Sequence, residues 1–305
     1  MIAPPRLRPG DRIGVVAPSG PVLRRYVAAG ARALEREGFR VVLARHLFER
    51  RGHLAGSDAS RAEDLNRMLR NPDIRCVLMA RGGYGAMRIA ESVDWVAMRH
   101  DPKIFAGFSD ATFLHLGFAR NAAVRTLHGP NLHGLARGGV LRRWIAWVTR
   151  PFPPESIRTL RAPRRLAGAL RTVRGPVLGG NLQLVDYAIG TRAMPRLSGS
   201  ILFLEEVSEP PYKIDGMLCH LRLSGALAGV RGIALGDFHR CRQRSRRPEL
   251  KLGEVLRDHI GPLGVPALAG IRAGHKYLNL PFPLGARALL DPRKGLLRFE
   301  QGLVS

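Results

Sequence analysis

The sequence predicts an α/β protein, with an N-terminal parallel sheet covered by helices on both faces and a smaller C-terminal α/β domain. Three observations carry that expectation. Short apolar runs alternate with stretches of helical spacing from residue 11 to residue 120, the pattern of strands and helices in a parallel sheet. Over 135–175 the alternation breaks into proline- and arginine-rich sequence (Pro151, Pro153, Pro154, Pro163), of the kind that connects domains. It then resumes. A chain of 305 residues can hold two cores, since single cores stop growing near ~250–300 residues. The expected division is 1–140 for the first domain, 141–174 for an Arg/Pro-rich connection and 175–305 for the second domain.

In order, Asp11–Pro18 (DRIGVVAP) reads as a buried strand ending in a Ser19-Gly20-Pro21 turn. Residues 22–37 show helical spacing, with Val22, Tyr26, Ala29 and Leu34 near one face. Residues 40–44 form the next strand and 58–70 the next helix. Strand 74–80, helix 85–99, strand 104–108 and helix 110–120 complete the first domain. After the break, 200–205 is a strand, 213–224 a helix, 232–236 a strand and 251–261 a helix. Residues 288–291 and 295–299 suggest a closing hairpin. Active sites in parallel sheets lie beyond the carboxyl ends of the strands, where the turns at 17–21, 81–85 and 107–110 fall.

Composition narrows the class. The chain is 45% hydrophobic and 24% charged, as globular proteins are, and no stretch approaches the ~18 apolar residues needed to cross a bilayer. Its start, Met1-Ile2-Ala3-Pro4-Pro5-Arg6, lacks the basic head and apolar run of a secretory signal, so a cytoplasmic location is expected. Cys76, Cys219 and Cys241 are too few and too scattered for a disulfide framework or a zinc site, and neither a metal nor a cofactor is expected. Cys76, within Cys76-Val77-Leu78-Met79, reads as a small buried hydrophobe. The net charge of +25 comes almost wholly from arginine, lysine occurring only at 103, 213, 251, 276 and 294. Residues 135–174 carry ten arginines against the single acid Glu155, and Arg240–Arg247 reads RCRQRSRR. Such patches attract anions. Neither run matches a nucleic-acid-binding signature, so the charge reads as a solvated surface and no nucleic-acid partner is expected.

Four segments could carry chemistry. Ala106-Gly107-Phe108-Ser109-Asp110-Ala111-Thr112 places a serine where a strand turns into a helix, with the first helical amides and the positive end of the helix dipole facing the same space. That arrangement suits an acyl-transfer nucleophile and its oxyanion. Ser109 and Asp110 read equally as helix N-cap residues, and the turn is not a G-x-S-x-G elbow. Arg81-Gly82-Gly83-Tyr84-Gly85 follows a strand, and its glycines permit close backbone approach to a ligand whose carboxylate Arg81 could meet; a tight turn needing positive φ explains it as well. Glu205 and Glu206 end the strand from Ser200, and period-two alternation puts Ile201, Phe203 and Glu205 on one face and Leu202, Leu204 and Glu206 on the other. One carboxylate is therefore expected to point inward at the sheet end, unless both are ordinary surface acids. His275, in a loop-like segment, has the right chemistry for a base near neutral pH. His128, in His128-Gly129-Pro130, is locally an equal candidate.

Taken together these segments resemble the LD-carboxypeptidase family, the muramoyl-tetrapeptide carboxypeptidases of murein recycling. The matching text is RPGDRIGVVAPSGP at 8–21, GHLAGSDASRAEDLN at 52–66, ARGGYGAMR at 80–88, GFSDAT at 107–112, HGP at 128–130, GGNL at 179–182, ILFLEEVSEPPYKIDGML at 201–218 and GHKYLNLPFPLG at 274–285. An ordered series of this length is specific; only 135–174 lacks a counterpart. The resemblance implies a serine hydrolase with Ser109 as nucleophile, His275 as base and Glu205 as the acid that orients it. Glu205 falls on the first acid of the family's L-E-D segment, read here as Leu204-Glu205-Glu206. Oxyanion donors are expected from the backbone amides of Gly83 and Asp110, and Arg81 is the expected substrate-binding residue. With the strand–helix alternation, the fold expected for the N-terminal sheet is flavodoxin-like or glutamine-amidotransferase-like.

The resemblance further implies a muropeptide tetrapeptide as small-molecule substrate, cut between the L-centre of a diamino acid and the terminal D-alanine, with no membrane partner. Family members are often homodimers. The catalytic trio would be divided between the two domains. A branch of the same family, the microcin-immunity peptidases that cleave peptidyl-nucleotide antibiotics, is the alternative within this fold. A non-enzymatic anion or nucleic-acid binder built on the arginine-rich stretch is the alternative of another class.

Overall fold

In the computed structural model, the described residues are 1–136, 139–152, 157–158, 164–165, 169–243, 248–276 and 278–305. Much of the arginine-rich connection, Arg244–Arg247 of the second basic run and Tyr277 lie outside them.

The first half alternates as the sequence predicts, with one further strand at 126–128 that the sequence reading did not place. Strands β1 (Arg12–Val16), β2 (Arg40–Leu43), β3 (Ile74–Met79), β4 (Ile104–Gly107) and β5 (Thr126–His128) are separated by helices α1 (Arg24–Arg36), α2 (Asp58–Arg70), α3 (Trp95–His100) and α4 (Ala111–Gly117). The strand order is β5-β4-β3-β1-β2, all parallel. The order reverses at β1, whose sequence neighbour β2 lies on one side and β3 on the other. Such a switch point opens a crevice at the carboxyl ends.

Local chemistry sets the helix limits. Ser57 caps α2 by accepting the Ser60 amide at 3.0 Å, which is why that helix begins where the sequence places it. The single helix expected over 85–99 is instead a 3₁₀ turn at Met87–Ser92 followed by α3. Asn66 reaches across from α2 to the Ser92 carbonyl (2.6 Å) and the Asp94 amide (2.8 Å), and Asp94 then caps Ala97 (2.9 Å), starting a new helix. The helix expected over 110–120 ends as α at Gly117 and passes through a π turn, Phe118–Ala122, to Ala123 in the left-handed region.

Helices α5 (Leu132–Leu135) and α6 (Leu141–Thr149) follow. Residues 141–149 thus lie inside the stretch read as an inter-domain connection, yet α6 sinks Trp144, Trp147 and Val148 into the core. Burying Trp144 alone is worth about 3–5 kcal/mol on truncation. The apolar spacing of 141–148 is helical; the surrounding arginines and prolines masked it.

The second half contains β6 (Ile157–Arg158), β7 (Arg164–Arg165), β8 (Val173–Asn181), α7 (Leu182–Ala188), β9 (Ile201–Val207), α8 (Pro211–Leu223), β10 (Gly232–His239), α9 (Leu252–Ile260), β11 (Ala267–Ala269), β12 (Phe282–Leu284), β13 (Arg287–Asp291) and β14 (Leu296–Phe299). Their sheet runs β6-β14-β13-β8-β9-β10-β11-β7, with β8 to β11 parallel and antiparallel pairs outside. The closing hairpin is β13–β14. Among the described residues this sheet has eight strands to the first sheet's six, and two of the eight, β6 and β7, come from the arginine-rich connection. The sixth strand of the first sheet is β12, which pairs antiparallel with β5. The C-terminal chain is therefore woven into the N-terminal sheet.

Burial follows the strand faces. Ile201 and Phe203 of β9 join the core that contains the first sheet, whereas Leu202 and Leu204 join a second cluster under α7, α8 and α9. Within the first core, Cys76 is buried as expected, and burial pushes its thiol far above the ordinary range.

Candidate active site

The carboxyl ends of the two parallel sheets supply the site. On the first sheet β4 ends at Gly107, and the chain turns through Phe108–Asp110 into α4. Ser109 sits in this turn at φ 65°, left-handed backbone that a residue with a Cβ rarely adopts. Holding it there costs about 1–3 kcal/mol, and such strain persists only where the surroundings impose it. His115, fully buried, supplies part of the imposition: Nε2–H donates to the Gly107 carbonyl (2.9 Å) and Nδ1 accepts from the Thr126 hydroxyl (2.8 Å). Burial pushes its pKa down to about 4, so it stays neutral.

The turns after β1 and β3 close around Ser109. The Gly20 amide donates to the Gly82 carbonyl at 3.3 Å. A Cβ on Gly82 would stand 3.0 Å from the Ser109 Cβ and 3.1 Å from its Oγ, so only glycine lets this turn lie against the serine. Two clamps fix the arrangement. The Asp110 carboxylate accepts the Ser19 hydroxyl and the Ala86 amide (2.8 Å), joining three strand ends. Its side chain makes no helix-capping bond, so the reading of Asp110 as a simple N-cap fails. Burial pushes its pKa up, against the pull of those bonds and of Arg61. Arg61, buried, donates from Nη1 to the carbonyls of Pro18 and Gly85 and pairs with Asp58 through Nη2. The amides of Gly83, at φ 123°, and of Asp110 find no acceptor among the described residues. Arg81 is exposed, and its Nη1 donates to the Pro21 carbonyl at 3.1 Å.

On the second sheet, β9 delivers two acids, and both are buried, which removes the reading of Glu205 and Glu206 as surface carboxylates. They are buried on opposite faces. Glu206 accepts from Asn181 Nδ2 (2.9 Å), the Gln183 amide (2.9 Å) and the Val207 amide (2.7 Å), and so binds the start of α7. Its pKa is pushed up to about 7, chiefly by burial and also by the charge of Glu205. Glu205 Oε2 instead meets His275, accepting from Nδ1–H at 2.7 Å. That bond assigns the tautomer and leaves the Nε2 lone pair facing Ser109 Oγ, 3.1 Å away. Desolvation works against the charged imidazolium, but the hydrogen bond and charge of Glu205, with Glu206 and Asp237 beyond, outweigh it and hold the imidazole above its ordinary range.

His128, the rival on local grounds, is sealed among Phe108, Phe203 and Phe282, and burial depresses its pKa well below the usual imidazole value. A neutral, enclosed ring remote from solvent serves packing. The GGNL segment gains a place: Gly180 (φ 148°) passes so close to Thr112 that a Cβ would stand 2.4 Å from its Oγ1, and Thr112 Oγ1 accepts the Asn181 amide at 2.9 Å. Sequence reading assigned no part to Ser19, Arg61, Asn181 or Asp237. Ser19, Arg61 and Asn181 stood inside family-like segments, but nothing in a sequence tells a buried arginine from an exposed one among so many.

A hydroxyl, an imidazole and a buried carboxylate joined by two hydrogen bonds across facing sheet edges have the arrangement that nucleophilic hydrolases use. The chain belongs to the LD-carboxypeptidase family: the family's N-terminal domain matches residues 13–129 and its C-terminal domain residues 174–290. It is accordingly a peptidase. It is 39% identical to a putative carboxypeptidase of Streptomyces coelicolor, covering 99% of this chain and 97% of the relative. To a probable murein peptide carboxypeptidase of Bacillus subtilis it is 35% identical, over 98% and 95%. Among solved structures, a mutant microcin C7 self-immunity protein in complex with adenosine monophosphate superposes with a TM-score of 0.87 at 24% identity over the whole of both chains, which establishes the shared fold. Among the described residues, no helix is long and apolar enough to cross a membrane.

Proposed function

We propose that the protein is a serine-type LD-carboxypeptidase that removes the terminal D-alanine from murein tetrapeptides. In this reading Ser109 is the nucleophile, His275 the base and Glu205 the orienting acid. The observation that carries it is the linear relay: Glu205 Oε2 to His275 Nδ1 at 2.7 Å, and His275 Nε2 to Ser109 Oγ at 3.1 Å. His275 Nε2 takes the Ser109 proton as Oγ attacks the scissile carbonyl beside the L-centre of the diamino acid. The amides of Gly83 and Asp110 receive the oxyanion, at the positive end of α4. The imidazolium, stabilised by Glu205, then protonates the leaving D-alanine nitrogen, and water resolves the acyl-enzyme by the reverse route. Arg81 offers a cation to the substrate's free carboxylate. We place this activity in the cytoplasm, in the recycling of cell-wall peptides, and expect a homodimer.

Mass spectrometry of a murein tetrapeptide after incubation tests the proposal. Conversion to the tripeptide by wild type and not by Ser109→Ala is expected. An intact tetrapeptide alongside cleavage of a peptidyl-nucleotide would move the chain to the microcin-immunity branch. Salt-dependent DNA binding with no hydrolysis of either would overturn the enzymatic reading.

A further inference from the structure

We propose that Asp237 is a positioning residue for His275: it grips both ends of the loop that carries the imidazole and sets a further negative charge behind the imidazolium that forms when Ser109 is deprotonated. The proposal rests on the relay described above.

Asp237 stands at the carboxyl end of β10, where the register against β9 shifts between Leu235 and Phe238. Such bulges re-aim a side chain at a strand end. Its own amide donates to the Ala273 carbonyl at 2.9 Å. Its carboxylate pairs with the ammonium of Lys276, the residue after His275, at 3.3 Å. Residues 273 and 276 bracket His275, so one residue ties down both sides of the base. Glycines permit the close approach. A Cβ on Gly236 would stand 2.5 Å from the Ala273 carbonyl oxygen, and one on Gly274 (φ 129°) would stand 2.9 Å from Glu205 Oε2 and 3.1 Å from Asp237 Cβ. The loop thus lies between two acids, one bonded to the imidazole and one beneath its backbone.

A surface ion pair would explain the Lys276 contact alone. Two features go beyond it. The Asp237 side chain is 11% exposed against 58% for Lys276, so the acid belongs to the interior and the lysine to the rim. The charged groups near His275 are Glu205, bonded to the ring, Glu206 on the other face of β9, Asp237 on β10 and Lys276, the next residue of its own loop, with neutral His128 on β5. Burial raises the Asp237 pKa, opposed by the ammonium and the amide of Lys276. Removing the acid's charge should make His275 a weaker base, and removing the lysine's charge should make it a stronger one. A contact that merely held the loop would not give opposite signs.

The experiment is an NMR titration of the His275 ring carbons in the full-length wild type, Asp237→Asn and Lys276→Met, which needs no substrate. Asparagine keeps the size of the side chain and the backbone bond to Ala273 while removing the charge. The expected midpoint falls by about 0.5–1 pH unit in Asp237→Asn and rises by a smaller amount in Lys276→Met. In parallel, tetrapeptide hydrolysis by Asp237→Asn should lose kcat several-fold with KM unchanged, and labelling of Ser109 by a fluorophosphonate should slow in step. Unmoved midpoints in both folded variants overturn the proposal. So does a rise in KM at unchanged kcat, which would make Asp237 a substrate contact. If Asp237→Asn does not fold, Lys276→Met at its exposed site decides through the sign of its shift. Failure of wild type to react with tetrapeptide or fluorophosphonate would instead strike the relay reading, while the midpoints still report on Asp237.

Discussion

The two sheet edges that meet at the site are built on different principles. The edge of the first sheet works through backbone: a serine at φ 65°, a glycine turn pressed against it, and two amides without acceptors among the described residues. The edge of the second sheet works through buried charge: Glu205 bonds one imidazole, and Asp237 and Glu206 act on it through space. Each kind of damage should therefore appear in a different measurement. Substitutions on the backbone edge should trade strain against chemistry, with small electrostatic signatures. Substitutions on the charged edge should move pH profiles.

The largest expected effect lies on the backbone edge. Ser109→Ala should lower turnover by about 10³–10⁶-fold, leaving what oxyanion binding alone contributes. Ser109→Gly should lose turnover equally yet unfold at a higher temperature, since glycine relieves the left-handed strain. A Ser109→Gly protein that is less stable than Ser109→Ala would show that the strain is not there.

On the charged edge, Glu205→Gln should cost about 10²–10⁴-fold in kcat, because the amide fails to hold the imidazole in the tautomer that leaves Nε2 free. Glu206→Gln should cost far less turnover and appear instead in stability, because three donors point at that carboxylate and an amide nitrogen would face one of them. Steady-state kinetics and thermal unfolding of both variants check this. Equal kinetic losses would reverse the assignment of the two strand faces.

Two pH dependences sharpen the contrast. The kcat/KM profile should rise as His275 loses its proton, with a midpoint above the ordinary imidazole value, because the pKa is raised. For Glu206 the linkage runs the other way from a usual carboxylate. Its folded pKa of about 7 lies above the ordinary glutamate value of 4.5, so its stabilising contribution is full below the lower value and is lost as pH rises through the higher one. The fall in unfolding temperature between about pH 5 and pH 8 should therefore be shallower in Glu206→Gln than in wild type, and an unchanged slope would remove Glu206 as its source.

The smallest effects belong to the arginines. Arg81→Gln should weaken kcat/KM for a substrate ending in a free carboxylate more than for its amide. Replacing four arginines of 158–174, a stretch of which 159–163 and 166–168 lie outside the described residues, should leave both nearly unchanged, since exposed charges beyond a Debye length of ~8 Å are screened. A tenfold loss in the four-arginine variant without one in Arg81→Gln would put the basic stretch in the substrate site.

Much of this was legible in the sequence, and for identifiable reasons. Strand–helix alternation is a local signal with a period, so β1 to β4 and α2 could be placed within a residue or two, whereas the three-residue β5 was not placed. Period two along β9 separated Glu205 from Glu206 before their partners were known, and the faces they take are those the alternation assigned. The family-like segments pointed to Ser109, Glu205 and His275 together. Helix 85–99 misled because the break at Val93-Asp94 comes from Asn66, a side chain on another helix. Similarly, α6 was hidden by arginines that flank a buried tryptophan face.

Periodicity and the chemical identity of the candidate residues came from the sequence unaided, since both are properties of neighbours along the chain. Which candidate histidine stands beside the serine was a matter for three-dimensional contact. His128 and His275 are locally equivalent, but one is enclosed by three phenylalanines and the other meets a carboxylate 70 positions away. Likewise, Asp110 could not be told from a helix cap until Ser19 and Ala86 arrived at its oxygen. Burial and through-space charge set both outcomes. They depend on contacts between strand ends far apart in the chain, which no local pattern records.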